Sequence, residues 1–195
     1  FELILDREQL LGLPESVRAA AATEAEARGH SDSFAFTISR SSITPFLQFS
    51  EDRELRQHMY EAYTRCGDND NDANNRAVLS EIAELRQQRA HLMGFETHAD
   101  FMLDDRMAAN PGNVHQLLDQ IWSPAQKKVY QEATDLQNQI QQDGQNFKLA
   151  PHDWWYYTEK LRSERFDLSD NDIKPYFELS RVRDGAFEVA NQLFG

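Results

Sequence analysis

The chain has a single cysteine, Cys66, among its 195 residues. That excludes an internal disulfide framework and a cysteine-built zinc cage. Basic residues are also scarce: 20 Lys and Arg stand against 33 Asp and Glu, a formal net charge of −13. Nucleic-acid binding rests on a basic footprint, so that class is set aside. No apolar run approaches the roughly 18 residues that a membrane span needs. Residues 1–5, F-E-L-I-L, lack the basic start and long apolar stretch of a secretion signal. The spacing of histidines excludes most. A helical H-E-x-x-H zinc site needs two His four positions apart, facing one side, with the Glu between them as base. The six histidines are His30, His58, His91, His98, His115 and His152, and no pair has that spacing. The E-x-x-H pairs of a di-iron bundle are missing too. No catalytic, cofactor-binding or metal-ligating residue is assigned, and the chain itself is expected to hold no metal.

What is present is helical periodicity. The length permits a real core in one domain, or two lobes. Residues 1–30 read as two helices. Asp6 and Gln9 suggest a capping box before Leu10 and Leu11, Gly12 is a stop, and Pro14 opens an alanine-rich helix closed by Gly29. Phe34, Phe36 and Ile38 alternate with Ala35 and Thr37, which predicts one short strand, or a pair with another segment. From Ser50, a possible cap, the chain reads as helix again, with Leu55, Met59, Ala62 and Cys66 on one stripe. Cys66 is taken as a small buried hydrophobe. Asp68, Asp70 and Asp72 imitate the start of a calcium loop, but Ala73 and Leu79 stand where Gly and Glu are required, so a solvated loop is the reading.

Residues 74–93 form the next helix, with Val78, Ile82, Leu85 and Leu92 on one side and a stop at Gly94. Asn110 caps and Pro111 opens the longest periodic segment, whose core-facing positions are Val114, Leu117, Leu118, Ile121, Trp122, Ala125, Val129, Leu136 and Ile140. Pro124 predicts a kink, or a restart capped by Ser123, and Gly144 ends the run. Four consecutive aromatics, Trp154, Trp155, Tyr156 and Tyr157, then put a ring on every face of one turn, which predicts a helix buried on several sides. The sequence stops at Gly195 after the apolar residues Phe187, Val189, Ala190, Leu193 and Phe194, as an internal cut in a longer protein would.

Two segments resemble a known family. D-W-W-Y-Y-T-E-K followed by Y-F-E-L, V-R-D-G-A-F and L-F-G is similar to the W-D-x-x-Y-Y-x-E-K, Y-F-x-L, V-x-x-G-x-F and L-F-G pattern of the thimet oligopeptidase family of zinc metallopeptidases. The residues concerned are Asp153, Tyr156, Tyr157, Glu159, Lys160, Tyr176, Phe177, Leu179, Val182, Gly185, Phe187, Leu193, Phe194 and Gly195, with His152 where the family pattern has Trp. Leu85, Arg86, Ala90, Leu92, Gly94, Phe95, His98, Ala99, Asp100, Leu103, Arg106, Met107 and Ala108 match a second family stretch. The early P-E-S-V-R-A-A-A-A run resembles the bacterial peptidyl-dipeptidase branch.

The sustained helical periodicity, set against one brief alternating run, predicts an all-α fold with at most one or two short strands. Residues 1–145 would be an N-terminal helical lobe, and residues 146–195 the start of the region leading to a catalytic half. The resemblance implies a parent enzyme that uses zinc to hydrolyse short peptides, in the cytoplasm of a bacterium or in the periplasm after loss of a leader. The H-E-x-x-H part would lie beyond this chain, which would form a wall of the substrate channel. The expected partner is that catalytic half, or self-association in its absence. A second reading is a stand-alone acidic helical module for protein interaction.

Overall fold

A computed structural model describes residues 1–166 and 170–195. The fold is mostly helical with one two-stranded antiparallel sheet, as expected. Strand β1 (Glu2–Leu5) pairs with β2 (Phe34–Thr37) in a register that sets Leu3 opposite Phe36 and Leu5 opposite Phe34. Between them lies α1 (Glu15–Ala27), which packs on β2. The sequence expectation of two helices in residues 1–30 is half right. The Asp6–Gln9 capping box exists, but it closes a single turn, Arg7–Gln9, and the residues before it are strand. Leu5 is buried while Phe1 is 54 % exposed, and pairing with β2 holds the F-E-L-I-L run extended.

Helix α2 (Arg40–Phe49) lies in a stretch for which the sequence analysis gives no element. Its Ile43, Phe46 and Leu47 are buried on one face. Pro45 withholds an N–H from the Ser41 carbonyl without ending the helix. Ser50 does not start the next helix. It caps the end of α2, and Asp52 caps α3 (Arg53–Thr64) by accepting from the Glu54 and Leu55 N–H groups at 2.9 and 3.0 Å. Since α3 stops at Thr64, Cys66 falls in the following turn and is exposed, not buried.

The first core joins Leu5, Leu10, Leu13, Ala21, Phe36, Ile43, Phe46, Leu47 and Met59. The Phe36 and Phe46 rings meet edge to face at 4.7 Å. A second, smaller core joins Leu136 and Ile140 of α6 (Pro111–Gln142) to Tyr157 of α7 (Trp154–Phe166), with Phe147, Leu149, Trp154, Tyr156 and Leu161 around them. The cores abut because α2 packs on α7 and α3 packs on the turn Pro151–Asp153. In the aromatic block only Tyr157 is fully buried. Trp154 and Tyr156 are half-buried and Trp155 is 38 % exposed.

Outside this body the expected core-facing stripes lie in solvent. Helix α4 (Arg76–Leu92) exposes Val78, Ile82, Leu85 and Leu92, and fully buries only Ala90. Phe95 and Phe101, 5.4 Å apart, connect α4 to the short α5 (His98–Leu103), which opens with a Thr97–Asp100 capping box. Helix α6 runs unbroken through Pro124, with no restart at Ser123. Gln120 and residues 121–130 are all exposed, so water can serve the carbonyl that Pro124 leaves without a donor. Of its expected core positions only Leu136 and Ile140 are buried, while Leu117, Leu118, Ile121, Trp122 and Val129 are exposed. Beyond α8 (Asp170–Ile173), α9 (Leu179–Phe194) buries no residue.

Gly12 shows how tightly the first body is drawn. Its φ is +81°, and a Cβ there would stand 2.2 Å from the Phe49 carbonyl oxygen. The adjacent Leu11 carbonyl accepts from the Glu51 N–H at 3.0 Å, tying the opening turn to the end of α2. Gly12→Ala is expected to destabilise the chain by at least about 1–2 kcal/mol, seen as a lower urea midpoint with an unchanged slope.

Candidate functional site

The most concentrated chemistry in the protein lies where the two cores meet. Asp153 is fully buried at the end of the turn Pro151–Asp153. Arg53 grips it with both arms of the guanidinium, Nε to Oδ1 and Nη2 to Oδ2, each at 3.0 Å. Arg56, one turn further along α3, donates from Nη2 to Oδ1 at 3.1 Å. The Ala150 N–H completes the shell at 3.1 Å from Oδ2. Arg56 is itself 1 % exposed, and its other arm donates to the Ser50 carbonyl at 2.7 Å. Each guanidinium also covers a ring at 4.1 Å, Arg53 over Phe147 and Arg56 over Tyr156.

Electrostatics follow from this shell. Burial alone would raise the Asp153 carboxyl, but the hydrogen bonds from Arg53, Ala150 and Arg56 outweigh it and hold the group below its ordinary range. On α7, burial works against the Lys160 ammonium, yet its hydrogen bond to Asp143 raises it overall. Lys160 also lies over the Tyr156 ring at 5.4 Å. Burial raises the neighbouring Tyr157 hydroxyl. Gln137 of α6 fixes the intervening loop by donating to the Phe147 carbonyl at 3.0 Å and accepting from the Leu149 N–H at 2.9 Å.

Two hollows flank the joint. One of about 850 Å³ lies between α1, β2, α2 and α7, with the Glu159–Arg162 pair on its α7 wall. The other, about 430 Å³, is lined by Tyr60, Ala133, Leu149, Pro151, Trp154 and Trp155.

The residues present do not suit zinc, the metal the resemblance implies. Among the described residues no group of three or more His, Cys, Asp or Glu is placed to hold a metal ion. The buried neighbours His152 and Asp153 make a poor start for one, because two guanidinium cations occupy the carboxylate. In the loop of Asp68, Asp70 and Asp72, Arg76 bonds Asp68, lies 4.0 Å from Asp70 and pulls the Asp68 carboxyl downward. Among the described residues no helix is long and apolar enough to cross a membrane.

Of the residues that carry the family resemblance, Asp153, Tyr156, Tyr157, Glu159 and Lys160 lie on the turn Pro151–Asp153 and α7, and none of them has a role assigned from the sequence. Sequence reasoning passed over Arg53 and Arg56. A signal existed: position 56 is three before Met59, on the inner side of the α3 stripe, where an unpaired Arg would be costly.

The fold and site define a mostly helical scaffold braced by a buried ionic joint. Residues 46–195 match Peptidase family M3. Oligopeptidase A of Haemophilus influenzae is 34 % identical over 197 residues, covering 99 % of this chain and 29 % of its own length. Dipeptidyl carboxypeptidase of Escherichia coli is 34 % identical over 196 residues, covering 99 % and 28 %. A probable thimet oligopeptidase of Arabidopsis thaliana is 26 % identical over 195 residues, covering 99 % and 26 %. The chain belongs to peptidase family M3, and it spans less than a third of the length of these relatives.

Asp153→Asn removes the charge that neutralises Arg56 and is expected to cost about 3–5 kcal/mol in urea unfolding. The Asp153 carboxyl has a lower pKa folded than unfolded. Its contribution is therefore complete above about pH 5 and is lost as pH falls through the ordinary carboxylate range near 4 and below. Stability curves of the two proteins should accordingly converge in acid.

Proposed function

We propose that this chain is a non-catalytic wall of the substrate channel in a zinc-dependent oligopeptidase or peptidyl-dipeptidase. The H-E-x-x-H segment, with the metal and the general base, belongs to another part of that enzyme. The observation that carries this reading is the set of apolar helix faces that no described residue covers. Val78, Ile82 and Leu85 on α4, Leu117, Leu118, Ile121 and Trp122 on α6, and Phe187, Leu193 and Phe194 on α9 are all exposed at helical spacing. Each large apolar side chain left in water forgoes about 1.5–3 kcal/mol. A contiguous patch of them marks an interaction surface. The names oligopeptidase A and dipeptidyl carboxypeptidase, borne by relatives that match almost the whole of this chain, support short peptides as the substrates.

In this reading the chain supplies shape and excludes water, and its own residues move no proton. The ionic joint at Asp153 keeps α3 and α7 at a fixed spacing, and that rigidity lets the wall select substrates by size. The partner that covers the apolar faces is the catalytic half of the same enzyme.

Peptide cleavage tests this in three samples, each with zinc. They are the chain alone, E. coli dipeptidyl carboxypeptidase lacking the segment the chain matches, and the mixture. Only the mixture is expected to cleave, and cleavage by the chain alone contradicts the reading. Leu118→Glu, on the exposed face of α6, should lower the restored activity at least about tenfold and leave the chain's own unfolding midpoint unchanged.

A further inference from the structure

The pairing at Asp153 leaves one neighbouring titratable group unused. His152 is 7 % exposed and sits on the turn that packs against α3. Its Nε2 lies 3.7 Å from Asp153 Oδ1, beyond hydrogen-bond range, and has no hydrogen-bond partner among the described residues. Both Asp153 oxygens already accept from Arg53, Arg56 and the Ala150 N–H. A proton on Nε2 would thus find no carboxylate oxygen of its own. The charged groups facing the ring are Arg53, Arg56 and Glu61 from α3 and Asp153 from its own turn. They balance as they stand, and a charged imidazole would add an excess cation where the ring is largely shielded from water.

We propose that His152 makes the contact between α3 and the turn Pro151–Asp153 acid-sensitive, its neutral ring packing the joint and its protonation loosening it. Burial pushes the imidazole below its ordinary value. Arg53 and Arg56 push the same way, and Asp153 and Glu61 oppose them without prevailing. Such a group takes up its proton more readily in the unfolded chain. Its contribution is therefore whole above about pH 6.5 and is lost as pH falls through the lower folded value. That window opens below about pH 6.5, above the ordinary carboxylate range in which the Asp153 contribution begins to fall.

The test combines two measurements on the full chain. Thermal midpoints are taken at about pH 7.5 and about pH 5.5 for the parent, His152→Gln and His152→Trp, and the His152 ring is titrated by NMR. The parent is expected to lose about 2–4 °C more than either variant between the two pH values, with a ring midpoint below about 6.5. Equal losses in parent and variants overturn the proposal, as does a ring that titrates at or above its ordinary value. If neither variant folds, the ring titration decides alone.

Discussion

A carboxylate with no exposed surface sets the terms for the rest of this structure. Burying Asp153 uncompensated would cost several kcal/mol, and removing either partner of such a pair leaves a charge stranded. Three donors from two separate stretches of chain must therefore arrive together. Arg53 and Arg56 lie 100 and 97 positions from Asp153 in sequence, so the joint exists only when α3 has docked on the turn before α7. The first core is closed on that side by Met59 of α3, and the second by Tyr157 of α7. Neither helix can shift without opening both the ion pairs and a core.

Much of the local structure was legible because its causes are local. Gly12, Gly29, Gly94 and Gly144, read as stops, all adopt positive φ. At Gly94 the Phe95 N–H reaches back to the Ala90 carbonyl at 2.9 Å, the closure expected of a helix ended by glycine. Asn110 caps α6 through the Asn113 N–H at 2.9 Å, and the alternation around Phe36 became strand β2. The family resemblance was carried by scattered identities along the chain, and the comparisons bear it out.

What stayed hidden depended on distant partners. Residues 2–5 become a strand because β2 is there to receive them, and α2 survives Pro45 because Ile43, Phe46 and Leu47 have a core to enter. Arg53 looked like an ordinary polar position on α3, and the inner placement of Arg56 pointed to a buried partner without naming Asp153. The opposite error occurred on α4 and α6. Periodicity there was real, but a stripe records that a face is apolar, not that something in the same chain covers it. In a chain that matches less than a third of its relatives' length, that difference bears directly on function.

The Asp153 joint fuses two cores into one cooperative body, while α4 and the first half of α6 stand apart with apolar faces that no described residue covers. Native-state hydrogen exchange reads this most directly. The amides of α2, α3 and α7 should open together at a common, high free energy. Those of α4 and of residues 111–130 should exchange through smaller, independent openings. Protection in α4 and residues 111–130 equal to that of α7 would contradict the account.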